Sequence, residues 1–254
     1  MLKTGSQLMH YSVQKIALAI LLFMPLLSAA VSTEEENYYN VLLEADKARG
    51  NYDGITWQVN IQTRNKHKHY FIRALGFDLL AETLSPAKYK GNKILMVSGN
   101  MWFYKPGLSR AVPISRRQKL LGEASYGDIS STNYAHDYAI EAVRSDELNE
   151  KPCWLFNLKS KAKKNSYDRI HYWVDKEQRT GVRADYFTVS GKRIKSAIME
   201  YQHTIIDAEK NQPFISKITI MDGIQAGSVT VMDLSEPELK KIPDYFFNVN
   251  FLRK

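Results

Sequence analysis

The chain has 254 residues, 44% apolar and 24% charged, which suffices to bury one sizeable core and excludes a disordered chain. Its formal charge of +8 favours anionic partners such as lipid headgroups, lipopolysaccharide or an acidic protein face, although a basic balance also serves solubility alone. Cys153 is the single cysteine, so an intramolecular disulfide framework is excluded and the fold rests on its core.

Residues 1–32 carry Lys3 and Lys15 and no acid, run through IALAILLFMPLLSAAV, and meet the acidic TEEE abruptly. A basic start, an apolar run and small residues at Ser28 and Ala30 read as a secretory signal peptide. The alternative is a retained anchor, for which the run is short against the ~20 residues of a spanning helix. No cysteine stands near the junction, which argues against a lipid-modified amino terminus. The expected mature domain, 33–254, carries about +6 and belongs in an exported, periplasmic compartment. There nucleic acid is not the expected partner.

From Thr33 the segment TEEENYYNVLLEADKARG predicts a helix: Thr33 and Glu36 form a capping-box pattern, Tyr38, Val41, Leu42, Ala45 and Ala48 form an apolar stripe, and Gly50 ends it. The period then changes to two. ITWQVNIQ places Ile55, Trp57, Val59 and Ile61 on one face of a strand, RNKHKH is a hairpin tip, and YFIRALGF returns. Strands follow in LLAETL, KILMVS, MWFYKP, RAVPIS, DYAIEAVRS, CWLFNLKSK, RIHYWVD, RADYFTVS, RIKSAIMEYQH, FISKITIM and SVTVMDL, joined by turn sequences such as SGN and MDGIQAG.

Two interruptions read as helical, SRRQKLLGEA and SEPELKKI, the former with a surface turn as its alternative. No linker or internal repeat divides residues 33–254, so one domain is expected. A long antiparallel meander with so few helices must curl around them, which predicts a mainly β fold, an open half-barrel with an apolar cavity between sheet and helices.

Catalytic constellations are sparse. Cys153 sits inside a strand pattern and reads as a buried small residue. His67 and His69 have no acidic or cysteine partner near them in sequence and read as exposed tip residues rather than metal ligands. His136 and Asp137 are adjacent, and adjacent residues of a strand face opposite ways. A P-loop, a dinucleotide fingerprint, HExxH and GxSxG are all absent from the sequence. A non-enzymatic protein without metal or cofactor is therefore expected.

The segment KGNKILMVSGNMWFYKPGLSRAVPISRRQKLLGEASYGDISSTNYAHDY resembles the outer-membrane lipoprotein-sorting protein family, relatives of the LolA/LolB carriers. LLEADKARGNYDGITWQVNI, IHYWVDKEQRTGVRADYFTVSGKRIKSAIMEY and IPDYFFNVNFL extend the likeness over nearly all of the mature chain. The resemblance implies a strongly curved antiparallel sheet with helices on its concave side and a hydrophobic cavity for acyl chains. It implies transport of lipid or lipoprotein across the periplasm without catalysis, and companionship with an inner-membrane exporter. It fixes no ligand residues.

Those are supplied by the residues themselves. Trp57, Trp102, Tyr104, Trp154 and Trp173 offer broad apolar surface for a cavity, with core packing as the alternative for each. Leu120 and Leu121 point inward from the expected short helix, which would gate the mouth. Arg110, Arg116, Arg117 and Lys119 would stand at the rim, for an acyl ligand's headgroup, an anionic membrane surface or an acidic partner, or simply form a solvated face. The reading is a periplasmic carrier of acyl chains; its rival is an interaction partner of a membrane exporter that carries no lipid.

Overall fold

The computed structural model describes residues 38–130, 133–208, 210–223 and 227–253. The expected signal peptide and the Thr33–Glu36 cap lie outside the described residues. Of a first unit ending at residue 40, only 38–40 are described, and they are helical; residues 41–254 form a second compact unit.

Helix α1 (residues 38–47) follows the predicted stripe, with Val41, Leu42, Ala45 and Ala48 all buried. Gly50 ends the turn after it with a φ of +113°, the left-handed backbone that glycine tolerates best.

The chain then lays down β1 (Ile55–Gln62), β2 (His67–Leu75), β3 (Asp78–Ser85), β4 (Lys93–Val97), β5 (Asn100–Tyr104) and β6 (Val112–Ile114) as a meander. A small hairpin, β7 (Lys119–Leu121) with β8 (Ala124–Ser125), and two short helices, α2 (Tyr126–Ser130) and α3 (Tyr134–Asp137), interrupt it. The meander resumes with β9 (Tyr138–Leu148), β10 (Lys151–Ser160), β11 (Arg169–Asp175), β12 (Gly181–Phe187) and β13 (Arg193–Glu200). After the hairpin β14 (His203–Asp207) and β15 (Lys210–Phe214), it ends in β16 (Lys217–Asp222) and β17 (Val229–Leu239). Thirteen of these strands make one antiparallel sheet in the order β6-β5-β4-β3-β2-β1-β17-β16-β13-β12-β11-β10-β9. The first and last strands pair at its middle, and β6 and β9 are left as open edges: the fold is mainly β, an open half-barrel.

Register assigns the faces. Trp57, Ile72, Ala81 and Ile94 stand opposite one another across β1 to β4, and Met232, Ile218 and Met199 continue the row through β17, β16 and β13. This inner face continues through Ala184, Tyr172 and Phe156, and its members are almost wholly buried. The opposite face is polar over β1, as the alternation predicts, but over β3 to β5 it is covered. There Ile242, Phe247 and Leu252, carried by the 3-10 turns Asp244–Phe247 and Val249–Phe251, pack on Leu80, Leu95 and Tyr104 with Trp102 beside them.

Three sequence expectations are corrected. SRRQKLLGEA is a turn followed by the β7–β8 hairpin, because the carbonyls of Arg116 and Gln118 accept hydrogen bonds from the amides of Gly127 (2.8 Å) and Tyr126 (3.0 Å) and so cannot serve a helix. SEPELKKI continues β17 as far as Leu239, and Glu236 (φ +54°) and Pro237 form a bulge opposite Trp57 where the missing proline N–H costs nothing. His67 and His69 begin β2 rather than capping the hairpin.

Candidate functional site

The seven apolar candidates do not line one cavity. Trp57 lies on the inner face at 1% exposure, its ring edge-on to Phe214 at 5.9 Å. Trp154 shares that face but lies toward the start of β10, under Lys176 and Arg179 at 5.7 and 5.0 Å from its ring. Trp102 and Tyr104 are on the outer face beneath the carboxyl-terminal turns. Trp173 is also on the outer face, its Nε1 donating to Asp146 at 2.8 Å and Arg183 stacked 5.0 Å from its ring. Leu120 and Leu121 are buried in β7, where the hairpin turns at Gly122. A Cβ on Gly122 would meet Thr230 Oγ1 at 2.3 Å and Thr63 Cγ2 at 2.5 Å, so only glycine lets this flap close on the end of the sheet.

The four cations are equally scattered. Arg116 is 3% exposed and donates to Asp137 Oδ2 at 2.8 Å and to Asn165 Oδ1 at 3.4 Å; it is a structural anchor and not a rim residue. Arg117 grips Asp168 with both terminal nitrogens, at 2.8 and 3.2 Å, which holds the Asp168 carboxyl below the usual carboxylate range. Lys119 is exposed, 3.5 Å from Glu123, and Arg110 is exposed in the loop before β6. Nothing in the local sequence marked Asp137, Asn165 and Asp168 as partners, since they lie 21 to 51 residues away.

Beneath α1, α2 and α3 the interior is built from tyrosines and paired charges. Asp46 Oδ2 accepts from the Ala135 amide at 2.8 Å, and Arg49 lies 4.4 Å from the Tyr134 ring centroid. The hydroxyls of Tyr134 and Tyr186 are 3.0 Å apart, and Tyr167 stacks on Tyr186 at 4.0 Å. Asp128 accepts from Lys195 Nζ at 2.5 Å, from Ser125 Oγ at 2.9 Å and from the Tyr167 hydroxyl. Burial drives the Tyr134, Tyr167, Tyr172 and Tyr186 phenols upward, so they stay neutral. Sequence periodicity gave no sign of this centre, because each tyrosine alone reads as ordinary core.

His136 and Asp137 belong to α3, not to a strand, and are bonded to each other, Nδ1 to Oδ1 at 3.0 Å. They line a side cleft of about 580 Å³ with Phe77, Asn133 and Lys164. Asp128, engaged by Lys195, does not line it. Cys153 is buried in β10, and burial raises its thiol pKa. Among the described residues, no three His, Cys, Asp or Glu side chains gather as a metal set.

A second opening, the rim cleft, has a volume of about 640 Å³. It lies between the tip of β1–β2, the turn of the flap and the start of β17, and joins Leu121, Val229 and Val231 to Arg64 and Lys66. Of the predicted residues, Leu121 lines it. The flap is pinned beside it by Glu123 N to Thr230 Oγ1 at 2.8 Å, Lys195 Nζ to Glu123 O at 2.8 Å and Lys68 Nζ to Leu120 O at 3.2 Å.

A family model described as "Uncharacterized protein" matches residues 78–254, more than half of the chain. The chain belongs to that family. Its fold is shared by three crystal structures. A LolA superfamily protein from Nitrosomonas europaea superposes with a TM-score of 0.73 at 23% identity, covering 84% of this chain and 97% of the other. A domain described as an outer membrane lipoprotein-sorting protein, from Vibrio parahaemolyticus, gives 0.72 at 16% identity, covering 85% and 98%. A DUF1329 family protein from Desulfovibrio piger gives 0.68 at 19% identity, again covering 85% and 98%. No curated protein matches the chain. The family likeness read from the sequence holds at the level of fold, including the open sheet with its apolar face turned toward short helices.

Proposed function

We propose that the protein is a periplasmic, non-enzymatic carrier that takes up the acyl chain of a lipid or lipoprotein between the flap and the inner face of the sheet. The observation that carries this reading is the β7–β8 flap: a hairpin of five strand residues, pinned by a few polar contacts, buries Leu120 and Leu121 beside a cleft with two cations. Lifting the flap would expose Leu120, Leu121 and the inner-face row, while Arg64 and Lys66 would meet an anionic headgroup. The lipoprotein-sorting description of the Vibrio domain supports the same class of cargo. The leader-like residues 1–32 support export to the periplasm.

The test is binding of a fluorescent fatty probe to delipidated protein, with displacement by phospholipid. Saturable, displaceable binding is expected, and its absence would sink the reading. The tyrosine-filled interior favours a second reading, a module that docks on an inner-membrane exporter and carries no lipid. That protein would ignore the probe yet be retained by the exporter.

A further inference from the structure

We propose that the carboxyl-terminal cover of the outer face is a docking surface for an anionic lipid bilayer, whether or not the interior holds an acyl chain. The carboxyl-terminal segment buries Ile242, Phe247 and Leu252 as anchors and leaves Tyr245 and Phe251 outward at 50% and 38% exposure, their rings 5.8 Å apart. Arg253 Nη1 donates to Ser109 O at 3.1 Å and so ties the loop of residues 105–112 to this cover. That loop adds Leu108 and Val112, 41% and 40% exposed. A groove of about 380 Å³ opens beside Tyr245 and Phe251, with Lys93 and Arg73 in its wall and Glu82 3.6 Å from Arg73.

The charge around these apolar groups has nearly one sign. Residues 105–112 and 241–253 hold Lys105, Arg110, Lys241 and Arg253 against one acid, Asp244. Aromatic rings with cations beside them match the headgroup region of a bilayer, where ring bodies face the acyl boundary and cations meet lipid phosphates. A second copy of the chain would bring the same cations to the same place, so self-association through this surface is opposed by like charge. Of the four cations expected at a membrane or partner contact, Arg116 and Arg117 are engaged by Asp137 and Asp168, whereas Arg110 belongs to this surface.

The experiment is sedimentation with sucrose-loaded vesicles of phosphatidylcholine, with and without phosphatidylglycerol, at low and high salt. Binding is expected to be at least about tenfold stronger to the anionic vesicles and to weaken as salt rises. Tyr245→Ser with Phe251→Ser, and separately Lys105→Glu with Arg110→Glu, should each weaken it by about tenfold or more. The charge-reversal pair lies wholly on exposed residues, so it keeps the test valid should the aromatic pair misfold. Equal binding to both vesicle types, or undiminished binding by the folded charge-reversal variant, overturns the proposal. So does a variant that loses only a concentration-dependent dimer, which would give the surface to a second copy. A protein that fails the fatty-probe assay but passes this one retains its membrane surface and loses its carrier role.

Discussion

Asp46 is 1% exposed, and its Oδ1 makes no hydrogen bond among the described residues. Burial raises its carboxyl from 3.8 to about 7, against the opposing pull of Arg49 and of the Ala135 and Tyr134 amides. Between these two values the folded state holds a proton that the unfolded chain has lost. The corresponding stability is therefore full below about pH 4 and is lost as the pH rises through about 7. Asp46→Asn removes the titration, so its unfolding free energy should be flatter over that window, the difference amounting to a few kcal/mol. Denaturant titration across the window measures it, and an unaltered slope in the variant would assign the dependence to another group. In LLEADKARG the position borders the Val41, Leu42, Ala45 stripe, one turn after Leu42. What buries it is α3, an element that helical periodicity in α1 does not report.

At the scale of elements, α2 is held to β13 by the buried Asp128–Lys195 pair, both side chains under 10% exposed. Lys195→Ala leaves Asp128 as a buried carboxylate without its cation, at a cost of about 3–5 kcal/mol. Calorimetry should register a fall in Tm on the order of 10 °C, and Lys195→Met with Asp128→Asn should recover part of it. A Lys195→Ala protein as stable as the parent would show the pair to be dispensable. The flap is the element where sequence and structure part most clearly. Its two leucines are buried as predicted, but the helix is absent because residues 126 and 127 take the carbonyls that a helix would need. As a hairpin it retains the proposed gating role. Leu120→Glu with Leu121→Glu should reduce fatty-probe affinity at least about tenfold while the far-ultraviolet spectrum of the sheet persists. Unchanged affinity in the folded variant would remove the flap from the binding site.

For the whole molecule, the half-barrel was legible because most strands alternate and most turns carry Gly, Ser or Asp. MWFYKP is apolar on both faces, as suits a strand covered on each side, yet its sequence does not say that the outer cover is the distant IPDYFFNVNFL. That pairing spans about 140 residues and depends on three-dimensional order, as does the meeting of β1 with β17. The two short helices escaped because neither is longer than five residues, too short for a helical period, and the β14–β15 hairpin because KNQPF carries a proline and little apolar alternation. The candidate site was legible only in part: of the rim cleft's lining the sequence named Leu121, whereas Arg64, Lys66, Val229 and Val231 come together through loops remote in sequence. The proposed acyl-chain carriage is tested most directly by native mass spectrometry of the protein purified gently from cells. The account predicts a population whose added mass releases acyl lipids on activation and which is lost in the Leu120→Glu, Leu121→Glu variant. A bare polypeptide mass from cells, unchanged after incubation with phospholipid, would contradict it.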